Sequence, residues 1–309
     1  MQNNNYLIAI DGGGTKTQFC VLEIETGERA YFKSGSSNYK TAGDATVKSN
    51  LAGSLCIFME ENGISPQNIK GVIAGVAGCD NEQDRQFYHK IFSETKISDD
   101  KICVCNDAYL AFGKTKKKHG IVVVAGTGTI CLGMTRAKKS LRCGGWGFPI
   151  SDLGSGLWIA SRALTELVIY CDGYGEYHDV YESFREKIGA RGFSDIPEII
   201  TSYQIRDYAS FAKNLMDLAD EGDEYCVGLC KESVSHLIKM AREIYSRFSE
   251  KDKEDMEFII LGGLFSHASF RKEFFDRLES EIGIKRENVT IIDGKPVDGA
   301  LQIAKSLFL

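Results

Sequence analysis

Residues 6–22 read Tyr-Leu-Ile-Ala-Ile-Asp-Gly-Gly-Gly-Thr-Lys-Thr-Gln-Phe-Cys-Val-Leu, with one carboxylate and three consecutive glycines between two apolar runs. Both runs are short and strand-like, so this stretch predicts a β-hairpin. Its glycines can take positive φ and expose backbone N–H groups as an anion nest, while a carboxylate at the end of the first strand can hold Mg²⁺ through water. The hairpin is therefore a candidate nucleotide phosphate site, made by Asp11, Gly12, Gly13, Gly14, Thr15 and Lys16.

Two commoner glycine-rich phosphate motifs do not fit this hairpin. A Walker A loop needs Gly directly before its Lys, and here Thr15 precedes Lys16. A dinucleotide-binding fingerprint continues into a helix, whereas β-branched and aromatic residues follow here. A hairpin whose glycines only serve the turn is the remaining alternative, and the rest of the chain has to decide.

The composition is typical of a soluble globular protein long enough for two domains, with 309 residues, 43% hydrophobic and 26% charged. The net charge of -6 argues against a nucleic-acid partner, because binding to a phosphate backbone needs clustered Lys and Arg. The sequence shows no secretory signal pattern and no run of about 18 apolar residues, so we expect no membrane partner and a cytoplasmic location. The cysteines lack zinc-site spacing and are expected to be free thiols.

The second part of the chain repeats the plan of the first. The first part predicts strands at 6–11, 18–24, 29–34, 70–76 and 101–105, and helices at 44–62, 82–95 and 107–114. The second predicts two strands around a glycine–threonine turn within 120–134, a third strand near 141, a helical insertion over about 154–250, strands at 257–261 and 289–293, and helices at 268–282 and 297–308. A purely structural turn has no reason to recur at the equivalent position, so the repeat favours a phosphate-binding role for both hairpins.

Seven short motifs follow one another along the chain: IDGGGTKT (10–17), SSN (36–38), ND (106–107), AGTGT (125–129), GGWG (144–147), SDLGSG (151–156) and LGG (261–263). With these motifs in this order, the chain resembles the actin/hexokinase/Hsp70 ATPase superfamily. Within it, the chain resembles the N-acetylglucosamine kinase and BadF/BadG/BcrA/BcrD ATPase family. The resemblance implies an α/β fold of two duplicated ribonuclease H-like lobes with a βββαβαβα plan, an ATP cleft between them and a helical insertion in the second lobe. We expect the N-terminal lobe over 1–117 and the C-terminal lobe over 118–309, with the last helix able to pack back on the N-terminal lobe.

The same resemblance implies an ATP- and Mg²⁺-dependent kinase that phosphorylates a hydroxyl, at C6, of an amino sugar such as N-acetylglucosamine. Asp107 matches the family's catalytic base, and it follows a strand at the edge where open α/β sheets bind ligands. An Asp there can also simply cap the helix that starts at Ala108. The other matched residues are Thr127, Gly128, Gly262 and Gly263 for ATP, and Asn38, Asp107, Gly145, Trp146, Gly147 and Asp152 for the sugar.

One residue departs from the family pattern and leaves the substrate open. Leu153 stands where the family usually has the Glu of GDEGSG, so a different amino sugar is an alternative to N-acetylglucosamine. Two other functions also stay open: an activator ATPase, which resembles a dimer sharing an iron–sulfur cluster, and a non-catalytic sugar-binding protein of the same fold. For the kinase we expect a homodimer that takes a small-molecule sugar as its substrate.

Overall fold

The computed structural model describes residues 5–115, 117, 119–137, 139–292 and 296–309. These residues form two compact units: unit 1 is Met1–Lys118 with Ile292–Leu309, and unit 2 is His119–Ile291. Among the described residues, none of the helices combines the length and apolar character that a bilayer span requires.

The described secondary structure alternates strands and helices along the chain. The strands are β1 Tyr6–Gly12, β2 Thr17–Glu23, β3 Arg29–Ser34, β4 Ile69–Val76, β5 Ile102–Cys105, β6 Gly120–Ala125, β7 Thr129–Met134, β8 Ser140–Gly144, β9 Glu257–Leu261 and β10 Val289–Ile291. The α-helices are α1 Tyr39–Ala42, α2 Asp44–Lys48, α3 Ser54–Glu61, α4 Glu82–Phe92, α5 Gly156–Cys171, α6 Val180–Ile188, α7 Ile196–Thr201, α8 Ile205–Glu221, α9 Glu224–Ser246, α10 Glu250–Lys253, α11 Ala268–Ile282 and α12 Pro296–Phe308.

The sheet of unit 1 has the strand order β3-β2-β1-β4-β5. Strand β1 pairs antiparallel with β2 and parallel with β4, so the hairpin lies beside a crossover strand. Both faces of β1 are covered: Ile8 and Ile10 pack with α3 and α4, whereas Leu7 and Ala9 pack with α12. Coverage on both faces explains why β1 reads as a continuous apolar run rather than an alternating one.

The C-terminal helix α12 completes the core of unit 1. Its Val297 and Leu301 are buried against the face of β1, and a Cβ on Gly71 of β4 would overlap the Phe308 ring. A division of the chain at 117/118 alone would leave this helix with unit 2. The packing on β1 and β4 places it in unit 1.

The sheet of unit 2 repeats the topology with the order β10-β9-β6-β7-β8. Strand β6 pairs antiparallel with β7 and parallel with β9, as β1 does with β2 and β4. The insertion between β8 and β9 forms helices α5 to α10. Apolar side chains along α5 and α9, such as Leu164, Leu167 and Leu237, lie in the core of unit 2.

Three elements differ from the sequence-based predictions. The helix predicted over 44–62 is interrupted by a π-helical turn at Ser49–Gly53, where Asn50 Nδ2 donates to the Ser36 carbonyl at 2.8 Å. The helix predicted over 107–114 is a 3₁₀ helix. The strand predicted over 289–293 ends at Ile291, and residue 293 lies outside the described residues.

Candidate active site

The first hairpin presents backbone donors at its tip. Gly13 N donates to the Lys16 carbonyl at 2.9 Å and closes the turn between β1 and β2. Within the described residues, no protein acceptor bonds the N–H groups of Gly14 and Thr15, and both residues are exposed. Such outward N–H groups are the donors that an anion nest uses. Lys16 is exposed beside them.

Gly12 is required by the packing beneath this turn. A Cβ at this position would overlap Ser37 Oγ and lie 2.9 Å from Val76 Cγ1. Ser37 N donates to Gly13 O at 3.1 Å, and Ala77 N donates to Gly12 O at 2.7 Å. Two neighbouring segments therefore fix the position of the hairpin, and one of them is the Ser-Ser-Asn segment.

Asn38 lies at the start of the short helix α1. Its Oδ1 accepts from the backbone N of Lys40 at 3.1 Å and caps that helix. Its amide also lies over Gly78, where a Cβ would come within 2.6 Å of Oδ1. Among the described residues, no partner engages Asn38 Nδ2, which leaves its N–H donors available to a ligand.

Asp107 follows β5 and begins the 3₁₀ helix. The cap of this helix is Asn106, whose Oδ1 accepts from Ala108 N at 3.1 Å. Asp107 Oδ1 also accepts from Ala108 N, at 3.0 Å. Asn106 rather than Asp107 is therefore the N-cap residue of this helix. The Asp107 carboxylate lies at the end of the strand and shares the Ala108 N–H with that cap.

Two carboxyls of unit 1 have raised pKa values. Burial raises the pKa of Asp107 to about 7, and the negative charges of Asp11 and Asp80 act in the same direction. Burial also raises the pKa of Asp11 to about 6, opposed by the charge of Lys16. A carboxylate with a pKa near neutrality is suited to general base catalysis, because it is both substantially ionised and basic.

The second hairpin is anchored by its carbonyl groups. Gly126 N donates to Gly128 O at 3.0 Å across the turn. The carbonyls of Gly126 and Thr127 accept from Gly156 N at 2.8 Å and Leu157 N at 3.3 Å, at the start of α5. Because its carbonyls face the helix, the turn leaves the exposed Thr127 at its tip, as the first hairpin leaves Thr15.

The Leu-Gly-Gly turn after β9 lies beside this hairpin. Gly262 has φ +116, and a Cβ there would overlap the carbonyl of Ala125. A Cβ on Gly126 would have Gly263 N as its nearest neighbour, at 3.9 Å. Both glycines of the turn are exposed. The close backbone approach requires glycine at 262 and brings two glycine turns of unit 2 together.

Asp152 is directed at the base of the second hairpin. Its Oδ1 accepts from Thr129 N at 3.4 Å, and a Cβ on Gly128 would lie 2.9 Å from its Oδ2. Burial raises the pKa of Asp152, and backbone donors that include Thr129 and Gly147 oppose the rise. The residue has φ +59, a conformation that non-glycine residues rarely adopt and that is concentrated at functional sites.

The Gly-Gly-Trp-Gly segment forms an exposed loop after β8. Trp146 is 66% exposed, and the Arg142 guanidinium lies 3.9 Å from the centroid of its ring. Trp146 N donates to Ser151 Oγ at 3.2 Å, and Ser151 N donates to Gly147 O at 2.8 Å. Gly145 has φ +75 in the same loop. A large ring held this far out of the core is available to cover a ligand.

The structure brings the predicted residues together within each unit. Unit 1 groups the first hairpin with Asn38 and Asp107, and unit 2 groups Thr127, Gly128, Asp152, Gly262 and Gly263 with the Gly-Gly-Trp-Gly loop. Sequence reasoning missed Lys40 and Asp80, which bond the segments of Asn38 and Asp107. A signal was present, since Asp80 follows β4, and the carboxyl ends of β1, β4 and β5 lie along one edge of the sheet.

The duplicated sheets define an actin-like ATPase fold. A solved structure from Chromobacterium violaceum, provisionally assigned as an N-acetylglucosamine kinase, matches with TM-score 0.75 at 20% identity, covering 98% of this chain and 99% of that one. A ROK family glucokinase from Streptomyces griseus, in complex with glucose and AMPPNP, matches with TM-score 0.56 at 16% identity over 98% and 100% of the two chains. These likenesses confirm the predicted fold class.

The chain belongs to the BadF/BadG/BcrA/BcrD ATPase family, whose model matches residues 8–304. This confirms the family expected from the motifs, and it makes the protein a member of an ATP-binding family. The N-acetylmuramic acid/N-acetylglucosamine kinase of Clostridium acetobutylicum is 26% identical over 97% of this chain and 98% of its own length. The N-acetyl-D-glucosamine kinase of Dictyostelium discoideum is 25% identical over 83% and 84%, and glucosamine kinase GspK of Vibrio cholerae is 24% identical over 80% and 83%.

Proposed function

We propose that this protein is an ATP-dependent kinase that transfers the γ-phosphoryl group of ATP to a hydroxyl of an amino sugar. The observation that carries the proposal is Asp107, a carboxyl with a pKa of about 7 at the end of β5. It lies in the same unit as the first glycine-rich hairpin, the candidate phosphate site between β1 and β2. A non-catalytic sugar-binding protein has no need of such a base. The names of the family relatives support the same class of reaction.

The hairpins are the proposed nucleotide contacts. In unit 1 the N–H groups of Gly14 and Thr15 donate to phosphate oxygens, and in unit 2 the Thr127 hydroxyl and the turn at Gly262 do so. Asp11 is the proposed Mg²⁺ contact, through water. The described residues contain no group of three or more His, Cys, Asp or Glu side chains that could bind a metal by themselves, and Mg²⁺ commonly uses one or two carboxylates together with water and phosphate. When bound, Mg²⁺ neutralises charge on the phosphates.

The sugar is proposed to contact Asn38 Nδ2, the Asp152 carboxylate and the Gly-Gly-Trp-Gly loop, with the face of Trp146 against its ring. Donors and acceptors recognise hydroxyls, while an exposed aromatic face covers the apolar side of a pyranose. N-acetylglucosamine is the proposed acceptor, phosphorylated at C6. Leu153, whose side chain is 43% exposed beside Asp152, supplies no acceptor there, so glucosamine and N-acetylmuramic acid belong in the same test.

Asp107 is the proposed general base. Its carboxylate accepts the proton of the attacking hydroxyl as the oxygen bonds to the γ-phosphorus, and ADP leaves. The pKa of about 7 means that about half of the groups are ionised at neutral pH. A general base of this kind contributes about 10²–10⁴-fold to the rate.

A coupled ADP-release assay against N-acetylglucosamine, N-acetylmuramic acid, glucosamine and glucose tests the proposal. We expect sugar-stimulated ADP release that needs Mg²⁺ and is highest with an amino sugar. Chelation with EDTA and an assay without sugar are the controls. Calorimetric binding of a sugar without any turnover would contradict the kinase and support the binding protein, and absence of both would contradict the whole proposal.

A further inference from the structure

Asp80 lies at the centre of a buried polar cluster in unit 1. Its side chain is 8% exposed and sits just beyond the end of β4. Asp80 Oδ2 accepts from Lys40 Nζ at 2.8 Å, and Asp80 Oδ1 accepts from Asn106 Nδ2 at 3.1 Å. Each carboxylate oxygen therefore bonds a different segment of the chain.

The bond to Asn106 fixes the orientation of that side chain. Asn106 is 7% exposed, and its Oδ1 accepts from Ala108 N. With Nδ2 bonded to Asp80 and Oδ1 bonded to the backbone, both ends of the amide have partners of the correct polarity. The same amide caps the 3₁₀ helix in which Asp107 is the first residue. Loss of the acceptor at 80 would leave a buried donor unsatisfied and free the cap to rotate.

The bond to Lys40 reaches the segment of Asn38. Lys40 Nζ also bonds Asp84 Oδ2 at 2.8 Å, and Tyr39 OH donates to Asp84 Oδ1 at 2.5 Å. The side chain of Asp84 is 4% exposed. One lysine thus compensates two nearly buried carboxylates, and its own backbone N is bonded by Asn38 Oδ1. Breaking a buried ion pair is costly because the remaining charge loses its compensation.

We propose that Asp80 is a positioning residue of the phosphoryl transfer, which fixes through Asn106 the turn that carries Asp107 and through Lys40 the segment that carries Asn38. This inference rests on the proposed function, because it takes Asp107 as the base and Asn38 as a sugar contact. In this proposal Asp80 contacts neither the sugar nor the nucleotide. It acts by fixing the positions of the two segments that carry Asp107 and Asn38.

Three substitutions of Asp80 distinguish the effect of the position of its acceptor oxygen from the effect of its negative charge. Asp80→Ala removes the acceptor for Asn106 and should lower kcat by about 10–100-fold, the loss that misplacement of a catalytic group produces. Asp80→Asn keeps an acceptor oxygen but loses the charge facing Lys40, so kcat should stay within about threefold while the KM for sugar rises. Asp80→Glu keeps the charge but displaces the oxygen by a methylene, and kcat should fall about tenfold.

A double-mutant cycle tests the route through Asn106. If Asp80 acts through this residue, Asp80→Ala should cost less than about threefold in kcat when Asn106→Ala is already present. Asp99→Ala is the matched control, because it removes an exposed carboxylate of an ion pair, with His89, in the same unit. It should leave kcat and KM unchanged. Independent, multiplicative effects of Asp80→Ala and Asn106→Ala would overturn the proposal, as would a loss with Asp80→Asn as large as that with Asp80→Ala while Asp80→Glu is unaffected.

Hydrogen exchange supplies a readout that needs no enzymatic activity. The amide of Ala108 is bonded by both Asn106 Oδ1 and Asp107 Oδ1. Because Asp80→Ala frees the Asn106 cap and loosens the turn that carries Asp107, a peptide covering 106–110 should exchange faster in Asp80→Ala and at the wild-type rate in Asp99→Ala. Unchanged protection in Asp80→Ala would overturn the positioning role. A wild-type protein without sugar-dependent ADP release would contradict the proposed function instead, and the exchange result would still decide whether Asp80 orders this turn. If Asp80→Ala does not fold, the contrast between a nearly unchanged kcat in Asp80→Asn and an about tenfold lower kcat in Asp80→Glu carries the test.

Discussion

Replacing Asp107 by Asn should lower activity and raise stability at the same time. The carboxyl has its ordinary pKa of 3.8 in the unfolded chain and a pKa of about 7 in the folded one, mainly because of burial. Its folded pKa is raised, so its contribution to stability is fully present below about pH 3.8 and is lost as the pH rises through about 7. At pH 8 the ionised carboxylate is therefore a cost to the folded state, and a neutral amide of the same shape avoids it.

The size of the stability gain follows from the difference between the folded and unfolded pKa values of Asp107. About 3 pKa units at about 1.36 kcal/mol each set a ceiling of about 4 kcal/mol. Asp107 is only partly buried, and solvent screening reduces this to an expected gain of about 1–2 kcal/mol at pH 8. Urea denaturation of wild type and Asp107→Asn at pH 8, 7 and 5 measures it, and the gain should shrink as the pH falls. Turnover in the ADP-release assay should drop by about 10²–10⁴-fold.

Asp99→Asn is the control for both measurements, because the Asp99 side chain is 77% exposed and precedes the start of β5, whereas Asp107 follows its end. It should leave turnover unchanged and give no gain in stability at pH 8. Near-wild-type turnover in Asp107→Asn would refute the base assignment. A gain in stability that is the same at every pH would refute the electrostatic explanation and leave only a packing effect.

Three further predictions concern separate parts of the site. The kcat/KM of the wild type should fall about tenfold per pH unit below about pH 7, because protonated Asp107 cannot accept the hydroxyl proton; a flat profile down to pH 5 would contradict this. Gly262→Ala should lower the unfolding free energy in urea by about 2–4 kcal/mol, since its Cβ overlaps a backbone carbonyl at positive φ, whereas Gly14→Ala, with no atom within 4 Å of its Cβ, should change it by less than about 1 kcal/mol. Leu153→Glu should raise kcat/KM for N-acetylglucosamine about tenfold relative to glucosamine, through one added hydrogen bond from the sugar, and equal changes for both sugars would contradict the role of this position.

The local sequence pattern was sufficient to predict most strands and the repeated plan of the two units. The apolar run of β1 and the glycine turn after it are determined by neighbouring residues, and the same pattern recurs in β6 and β7. The π-helical interruption at Ser49–Gly53 could not be predicted in this way. It accompanies the bond from Asn50 to the Ser36 carbonyl, a contact between segments that no local periodicity records.

In the candidate site, too, local sequence predicts some features, and contacts between distant segments determine the others. Asp107 could be placed at a strand end from sequence, but its local pattern does not tell which residue caps the following helix. Both side chains bond Ala108 N, and Asn106 is the cap because it is the extended residue before the helix, with its Nδ2 bonded to Asp80. Lys40, in turn, looks like a solvated charge in the sequence. Only the fold brings its ammonium group between two buried carboxylates that follow a different strand.

The packing of α12 on β1 has a consequence for biosynthesis. The face of β1 that carries Leu7 and Ala9 is covered by residues that are translated after the whole of unit 2. While the ribosome is still making those residues, this face lacks the cover of α12, and exposed apolar strands of that kind favour aggregation. Unit 1 can therefore complete its core only after unit 2 has been synthesised, and the nascent chain should depend on chaperone protection for longer than the early position of β1 suggests.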